Sequence, residues 1–145
     1  MPDNELRSRH GKSLNYMFRR VPFVKALGLE LLEWEECEGR AVVRLPASEL
    51  ADNGGGTPHG GAVATLLDTT GAAAVWNGHD YDQGVRGSTT SLSVNYVGSA
   101  RSEAIIATAM VVRRARELNF AVIEAVGEES ARPVASAIMT YRIAP

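Results

Sequence analysis

Residues 60–76 read Gly60-Gly61-Ala62-Val63-Ala64-Thr65-Leu66-Leu67-Asp68-Thr69-Thr70-Gly71-Ala72-Ala73-Ala74-Val75-Trp76. Small or apolar side chains fall on every face of a helix drawn through this run, and Asn77-Gly78 supplies a fitting stop. A helix that is apolar all round is buried all round. The run therefore predicts a central helix that the rest of the chain must cover. Asp68 is its only ionisable residue.

The sequence on either side supplies the cover. Downstream, residues 89–96 (Thr89-Thr90-Ser91-Leu92-Ser93-Val94-Asn95-Tyr96) alternate strictly. Thr89, Ser91, Ser93 and Asn95 fall on one face of a strand; Thr90, Leu92, Val94 and Tyr96 fall on the other. Residues 103–113, 118–127 and 133–143 read as three more strands, with turns near Arg114-Ala115-Arg116 and Gly127-Glu128-Glu129. Upstream, residues 28–36 and 39–45 read as two strands around Glu38-Gly39, and residues 46–58 as loop. Residues 13–26 read as an irregular helix with Ser13 as a candidate cap and Pro22 as an interruption. The order is helix, two strands, long helix, four strands. That is not an alternating βαβ pattern, so the expected class is α+β with an antiparallel sheet.

Composition bounds the function classes. The chain has 145 residues, 45% of them apolar and 22% charged, which suits one ordinary domain folding without disulfide or metal. Fifteen basic and 17 acidic residues leave a net charge of −2, with no sign of a nucleic-acid or anionic-membrane binder. The single Cys37 allows no internal disulfide and points to a reducing, cytoplasmic setting. No apolar run is long enough to span a bilayer, and the first twenty residues hold no signal-peptide core. Residues 1–25 are basic and residues 26–52 acidic, read here as solvated faces.

Two places carry candidate chemistry. Asp68 is a carboxylate in an apolar helix, costly to bury unless paired or functional. It reads either as a general base or as a structural aspartate hydrogen-bonded to Thr or backbone groups. His59-Gly60-Gly61 lies where a glycine-rich loop enters the helix, whose first N–H groups lack internal partners and favour an anion. Glycine lets an oxygen approach those N–H groups closely, as in an oxyanion hole. No P-loop and no nucleophile-elbow motif is present. His10, His59, His79 and Cys37 show no metal-ligand spacing, and His79-Asp80-Tyr81-Asp82 reads as a polar loop.

Taken together, Asn53, His59-Gly60-Gly61, Asp68 and the polar-alternating strand ending Asn95-Tyr96 resemble the hotdog-fold acyl-CoA thioesterases, closest to the small phenylacetate-pathway type. The resemblance runs from about Gly28 to the end of the chain. It implies one hotdog domain over residues 1–145, with an antiparallel sheet around the long helix and an amino-terminal helical segment at about 1–27. It also implies a homodimer joined sheet edge to sheet edge with shared active sites, a dimer of dimers being the expected assembly. His59 and Asp68 are nine residues apart, about 13 Å along a helix axis and on roughly opposite faces. That spacing independently favours a site shared between two subunits.

The resemblance implies hydrolysis of an acyl-CoA to free acid and CoA, with no metal and no organic cofactor, since CoA belongs to the substrate. Gly60 N–H would hold the oxyanion, His59 and Asn53 would order the loop or water, Asp68 would act as base or nucleophile, and Thr89 would stand beside it. Arg113, Arg114 and Arg116 are candidates for the CoA phosphates, with Gly61 also near CoA and Arg86-Gly87 a weaker choice. Two alternatives stay open: a hotdog acyl-thioester hydratase or dehydratase, and a non-catalytic acyl-CoA binding module.

Overall fold

The computed structural model describes residues 7–145. Its elements run α1 (Arg9–Arg20), α2 (Pro22–Leu27), β1 (Glu30–Glu33), β2 (Arg40–Leu45), α3 (Gly60–Trp76), β3 (Arg86–Tyr96), β4 (Ile105–Ala115), β5 (Leu118–Gly127) and β6 (Pro133–Ala144). The six strands form one sheet in the order β1-β2-β4-β5-β6-β3, and every neighbouring pair is antiparallel. The sheet wraps α3, which packs against β2, β3, β4, β5 and β6. This is the α+β hotdog architecture, with the central helix at the expected residues.

The helix sits close to the sheet because the sheet's inner face is lined with alanine. Ala107, Ala109, Ala121, Ala125, Ala135 and Ala137 are all buried there. Val63, Leu66 and Leu67 of α3 fill the space they leave, each contributing roughly 2 kcal/mol of burial. Gly71 marks the tightest approach: a Cβ at this position would lie 2.6 Å from Met139 Sδ.

Four expectations need correction. First, α3 is not buried all round: Gly61 is exposed and Ala64, Thr65 and Asp68 are half-buried. These positions recur at helical spacing and form one open stripe, because the sheet covers the helix from one side only. Second, the amino-terminal helix is two helices. Ser8, not Ser13, caps the first, its side chain accepting from Gly11 N–H, and Pro22 opens the second at its first position. Residues 1–6 of the expected helical segment lie outside the described residues.

Third, β3 breaks its own alternation. Thr89 pairs with Tyr141 but Ser91 pairs with Thr140, so Thr90 is an extra residue in a β-bulge. Thr89 is thereby turned to the inner face, the same side as Leu92, Val94 and Tyr96. Fourth, β4 continues through Ala115, so Arg113 and Arg114 lie in a strand and only Arg116 stands in the turn, at φ 55°.

The end of α3 is clamped by one buried amide. Asn77 is fully buried; its Oδ1 accepts from Cys37 N–H at 3.0 Å, and its Nδ2 donates to the carbonyls of Glu35 and Arg40 at 2.7 and 2.9 Å. One side chain thus ties the turn between β1 and β2 to the end of the central helix. Asn77→Ala leaves three main-chain groups without that partner and should lower the unfolding free energy by about 3 kcal/mol. Urea unfolding followed by circular dichroism measures this. A loss below about 1 kcal/mol would mean that water replaces the amide at little cost.

Candidate active site

The loop before α3 is closed by its own polar residues. Asn53 N–H donates to Thr57 O at 2.9 Å, Asn53 Nδ2 donates to Thr57 Oγ1 at 2.7 Å, and Asn53 Oδ1 accepts from Gly55 N–H at 2.7 Å. Asp52 Oδ1 accepts from Gly54 N–H at 2.6 Å. Asn53 therefore shapes the loop, and its amide groups are spent inside it. The returning chain is anchored by His59 N–H on the carbonyl of Ala51.

His59 then caps α3. Its backbone is extended, at φ −62° and ψ 137°, and its Nδ1 accepts from Gly61 N–H at 2.8 Å. That bond places the ring proton on Nε2. The His59 carbonyl accepts from Ala62 and Val63 N–H. Gly60 N–H is left without an acceptor among the described residues, at the positive end of the helix dipole. Tyr96 Oη donates to Gly60 O at 2.9 Å, and the Tyr96 ring lies 3.7 Å from where a Gly60 Cβ would stand. The first turn of α3 is thus fixed by His59 on one side and Tyr96 on the other.

Asp68 lies further along the open stripe. Thr89 Oγ1 donates to Asp68 Oδ1 at 2.7 Å, a contact that exists only because the bulge at Thr90 turns Thr89 inward. The inner wall beside it is aromatic: Trp76 Nε1 donates to Tyr141 Oη at 3.1 Å. Burial pushes the Tyr141 phenol above its usual range; the Trp76 hydrogen bond opposes this, and the charge of nearby Asp68 adds to it. Gly87 is required here, since a Cβ would lie 2.6 Å from the Trp76 ring and 2.7 Å from Tyr141 Oη.

The geometry between the two halves differs from the expected one. His59 has non-helical torsions, so the 100° rotation per residue does not start there. From Gly61 to Asp68 the helix turns almost two full circles, and both lie on the open stripe, not on opposite faces. Gly60, whose N–H is the donor without an acceptor, is eight residues from Asp68, about 12 Å along the axis, too far for one carbonyl group to touch both.

The three arginines are not presented together. Arg114 Nη1 donates to Val75 O at 3.0 Å and Asn119 Oδ1 at 3.1 Å, and Nη2 donates to Asn77 O at 3.1 Å. Its charge sits on the last carbonyls of α3, where the helix dipole favours a cation. Arg113, one position earlier on the strand, projects from the outer face. Arg116 lines a cavity of about 320 Å³ with Arg114, His79, Asp80 and Asn119. Arg86 Nε donates to Pro145 O. The sequence marks Tyr96 only as the end of the alternating strand and Tyr141 only as part of the last strand; their hydrogen bonds at the site emerge from the fold.

Residues 55–133 match the thioesterase superfamily. No curated protein matches the sequence. Among solved structures, a thioesterase family protein from Silicibacter pomeroyi superposes with a TM-score of 0.83 at 23% identity, covering 93% of this chain and 98% of that one. The Escherichia coli PaaI protein of the phenylacetic acid degradation operon gives 0.79 at 23% identity, covering 94% of each chain. A hypothetical thioesterase from Streptococcus pneumoniae, solved with coenzyme A, gives 0.72 at 20% identity, covering 91% of this chain and 94% of that one. No helix among the described residues is long and apolar enough to cross a membrane. The family match spans more than half of the sequence and includes the end of the loop, the capped helix and the carboxylate, so the chain belongs to the thioesterase superfamily, with a PaaI-like hotdog fold.

Proposed function

We propose that the protein is a cytoplasmic acyl-CoA thioesterase that hydrolyses an aryl, short-chain or medium-chain acyl-CoA to the free acid and CoA, using no metal or organic cofactor. The observation that carries this reading is a Gly60 N–H with no acceptor among the described residues, at the start of α3, together with a half-buried carboxylate held by Thr89 further along the helix. One is an oxyanion donor and the other a proton acceptor, which are the two groups thioester hydrolysis needs. The coenzyme A bound to the Streptococcus pneumoniae structure supports a CoA-bearing substrate.

The site is completed by a second copy of the chain. β3 is an edge strand of 11 residues, and between Gly87 and Tyr96 it holds no Lys, Glu or Pro to guard it. Long unguarded edges seek a partner strand. Pairing β3 with its symmetry mate extends the sheet and sets the two central helices antiparallel. Ala64 and Thr65 then lie at the crossing, where small side chains let the stripes approach. The start of each helix meets the middle of the other, closing the gap of about 12 Å between Gly60 and Asp68 along one axis. Association of such dimers in pairs completes the proposed assembly.

In each shared site Gly60 N–H polarises the thioester carbonyl. The partner subunit's Thr89 holds one oxygen of the partner subunit's Asp68, leaving the other to take a proton from water as its oxygen attacks the carbonyl carbon. The tetrahedral intermediate collapses with cleavage of the C–S bond, and the proton passes to the departing CoA sulfur. His59 and Asn53 hold the loop that presents Gly60, and Gly61, having no side chain, leaves room for the thioester arm. Arg113 and Arg116, whose guanidinium groups have no partner among the described residues, meet the CoA phosphates, while Arg114 supports the helix end.

Asp68→Asn should retain binding of a non-hydrolysable acyl-CoA analogue while turnover falls by about 100-fold or more. Free-thiol release across an acyl-CoA panel measures this; hydrolysis at the parent rate would make Asp68 structural.

Sharing of the site has its own test. Gly60→Pro removes the N–H at a first-turn position where proline fits a helix and follows an extended His59. Refolding it with an equal amount of Asp68→Asn makes about half of the dimers mixed, each with one intact site. About a quarter of the parent activity should return under two-fold symmetry. No recovery, with mixed dimers shown by mass spectrometry of tagged chains, would separate Gly60 and Asp68 into unrelated sites.

Replacing Arg113 and Arg116 together by Ala should raise KM for CoA thioesters and leave activity on a thioester of a short thiol unchanged, since phosphate contacts bind ground and transition states alike. Arg114→Ala should instead lower the melting temperature. An unchanged KM in the double variant would return both arginines to the solvated surface.

A further inference from the structure

Away from the stripe, three metal-ligating side chains from distant segments converge. His10 belongs to the first turn of α1, and Glu36 and Cys37 to the turn between β1 and β2. His10 Nδ1 lies 3.1 Å from Glu36 Oε1 and 3.9 Å from Cys37 Sγ, and the three ligand atoms all lie within 4.8 Å of one another.

The hydrogen bonds of His10 point to a cation between these groups. Its Nε2 is 2.9 Å from the carbonyl oxygen of His79. A carbonyl only accepts, so Nε2 carries the hydrogen and the neutral ring turns the Nδ1 lone pair outward. That lone pair faces the carboxylate of Glu36, which when ionised also only accepts. Two acceptors meet at this separation when a proton or a metal ion lies between them. A proton makes an ion pair of His10 and Glu36 and leaves Cys37 Sγ only a long contact of 3.9 Å to Nδ1.

A divalent ion engages all three. Tetrahedral bonds of ordinary zinc length put nitrogen and oxygen ligands about 3.3 Å apart, and nitrogen and sulfur about 3.6 Å apart. The observed separations are close to both. The Nε2–H contact with a main-chain carbonyl is the outer bond that metal-binding imidazoles make. Cys37 is held in place by its N–H on Asn77 Oδ1 at 3.0 Å and by a left-handed backbone at φ 67°. The three side chains open on a groove of about 590 Å³, lined also by Arg9, Asp80 and Asp82, giving room for a water ligand.

We propose that His10, Glu36 and Cys37 form a binding site for a borderline-soft divalent cation, of which Zn²⁺ is the best fit, with water as the fourth ligand. Thiolate and imidazole select zinc-like ions over Mg²⁺ and Ca²⁺, which prefer all-oxygen sites. The bound ion pins α1 to the turn that Asn77 already fastens to the end of α3.

The test uses the full chain, reduced and stripped with a chelator, and Co²⁺ as the probe. One equivalent should bind, giving sulfur-to-cobalt charge-transfer absorption in the near ultraviolet and tetrahedral d–d bands, both abolished by Zn²⁺. Cys37→Ser should remove the charge-transfer band, and Glu36→Gln should weaken Zn²⁺ binding by about tenfold or more. Both positions are exposed, so circular dichroism should show the parent fold; His10→Gln is the third variant, expected to weaken binding as much. Absence of the charge-transfer band in the parent protein overturns the proposal in favour of a proton shared by His10 and Glu36. So does Zn²⁺ affinity unchanged in the combined Glu36→Gln, Cys37→Ser variant.

Discussion

An apolar helix of 17 residues cannot remain in water, and the structure is organised around covering α3. Alanine on β4, β5 and β6 makes the inner face of the sheet shallow enough for the helix to lie close. Asn77 closes one end, replacing solvent for three main-chain groups at once. Arg114 sits on the final carbonyls, and His59 caps the opposite end. With both ends fixed, the helix presents an open stripe whose position does not drift.

That stripe is where covering the helix and doing chemistry conflict. A sheet closed all round would bury Asp68 and seal Gly60 N–H from any substrate. Leaving one side open exposes Ala64 and Thr65 as well, side chains small enough that the exposed apolar area is modest. The bulge at Thr90 resolves the remaining difficulty. A regular strand with Leu92 and Val94 inward turns Thr89 away from the helix, and the extra residue brings its hydroxyl onto the carboxylate.

Much of this was legible in the residues. The bounds of α3, the antiparallel class and the succession of strands follow from periodicity and from Asn77-Gly78. The significance of Asp68 follows from a lone charge in an apolar run. The bulge was not legible, because Thr89-Thr90-Ser91 satisfies strict alternation as well as a broken one; only pairing with Thr140 and Tyr141 decides between them. The open stripe was hidden for a related reason, since Gly, Ala and Thr suit buried and exposed positions alike. Arg113 and Arg114 looked like one basic cluster until strand geometry sent them to opposite faces. The approach of His10 to Glu36 and Cys37 joins segments whose separation in sequence matches no ligand spacing, so only the folded chain reveals it.

The pairing of β3 with β6 has a bearing on how the chain is made. Arg86 lies opposite Ala144 and Tyr96 opposite Ala135, so every bond on the inner side of β3 waits for the last strand of the sheet to leave the ribosome. Until then Thr89 has no frame to hold it against Asp68, and β3 has neither neighbour. The sheet can grow from β2 through β4 and β5 as each strand emerges, but the edge that builds the site is added at the end. Contacts this distant in sequence are slow to form, and the waiting strand is the segment most in need of protection during synthesis. Its Ser and Thr side chains, which pack little in the finished fold, keep that strand wettable while it is alone.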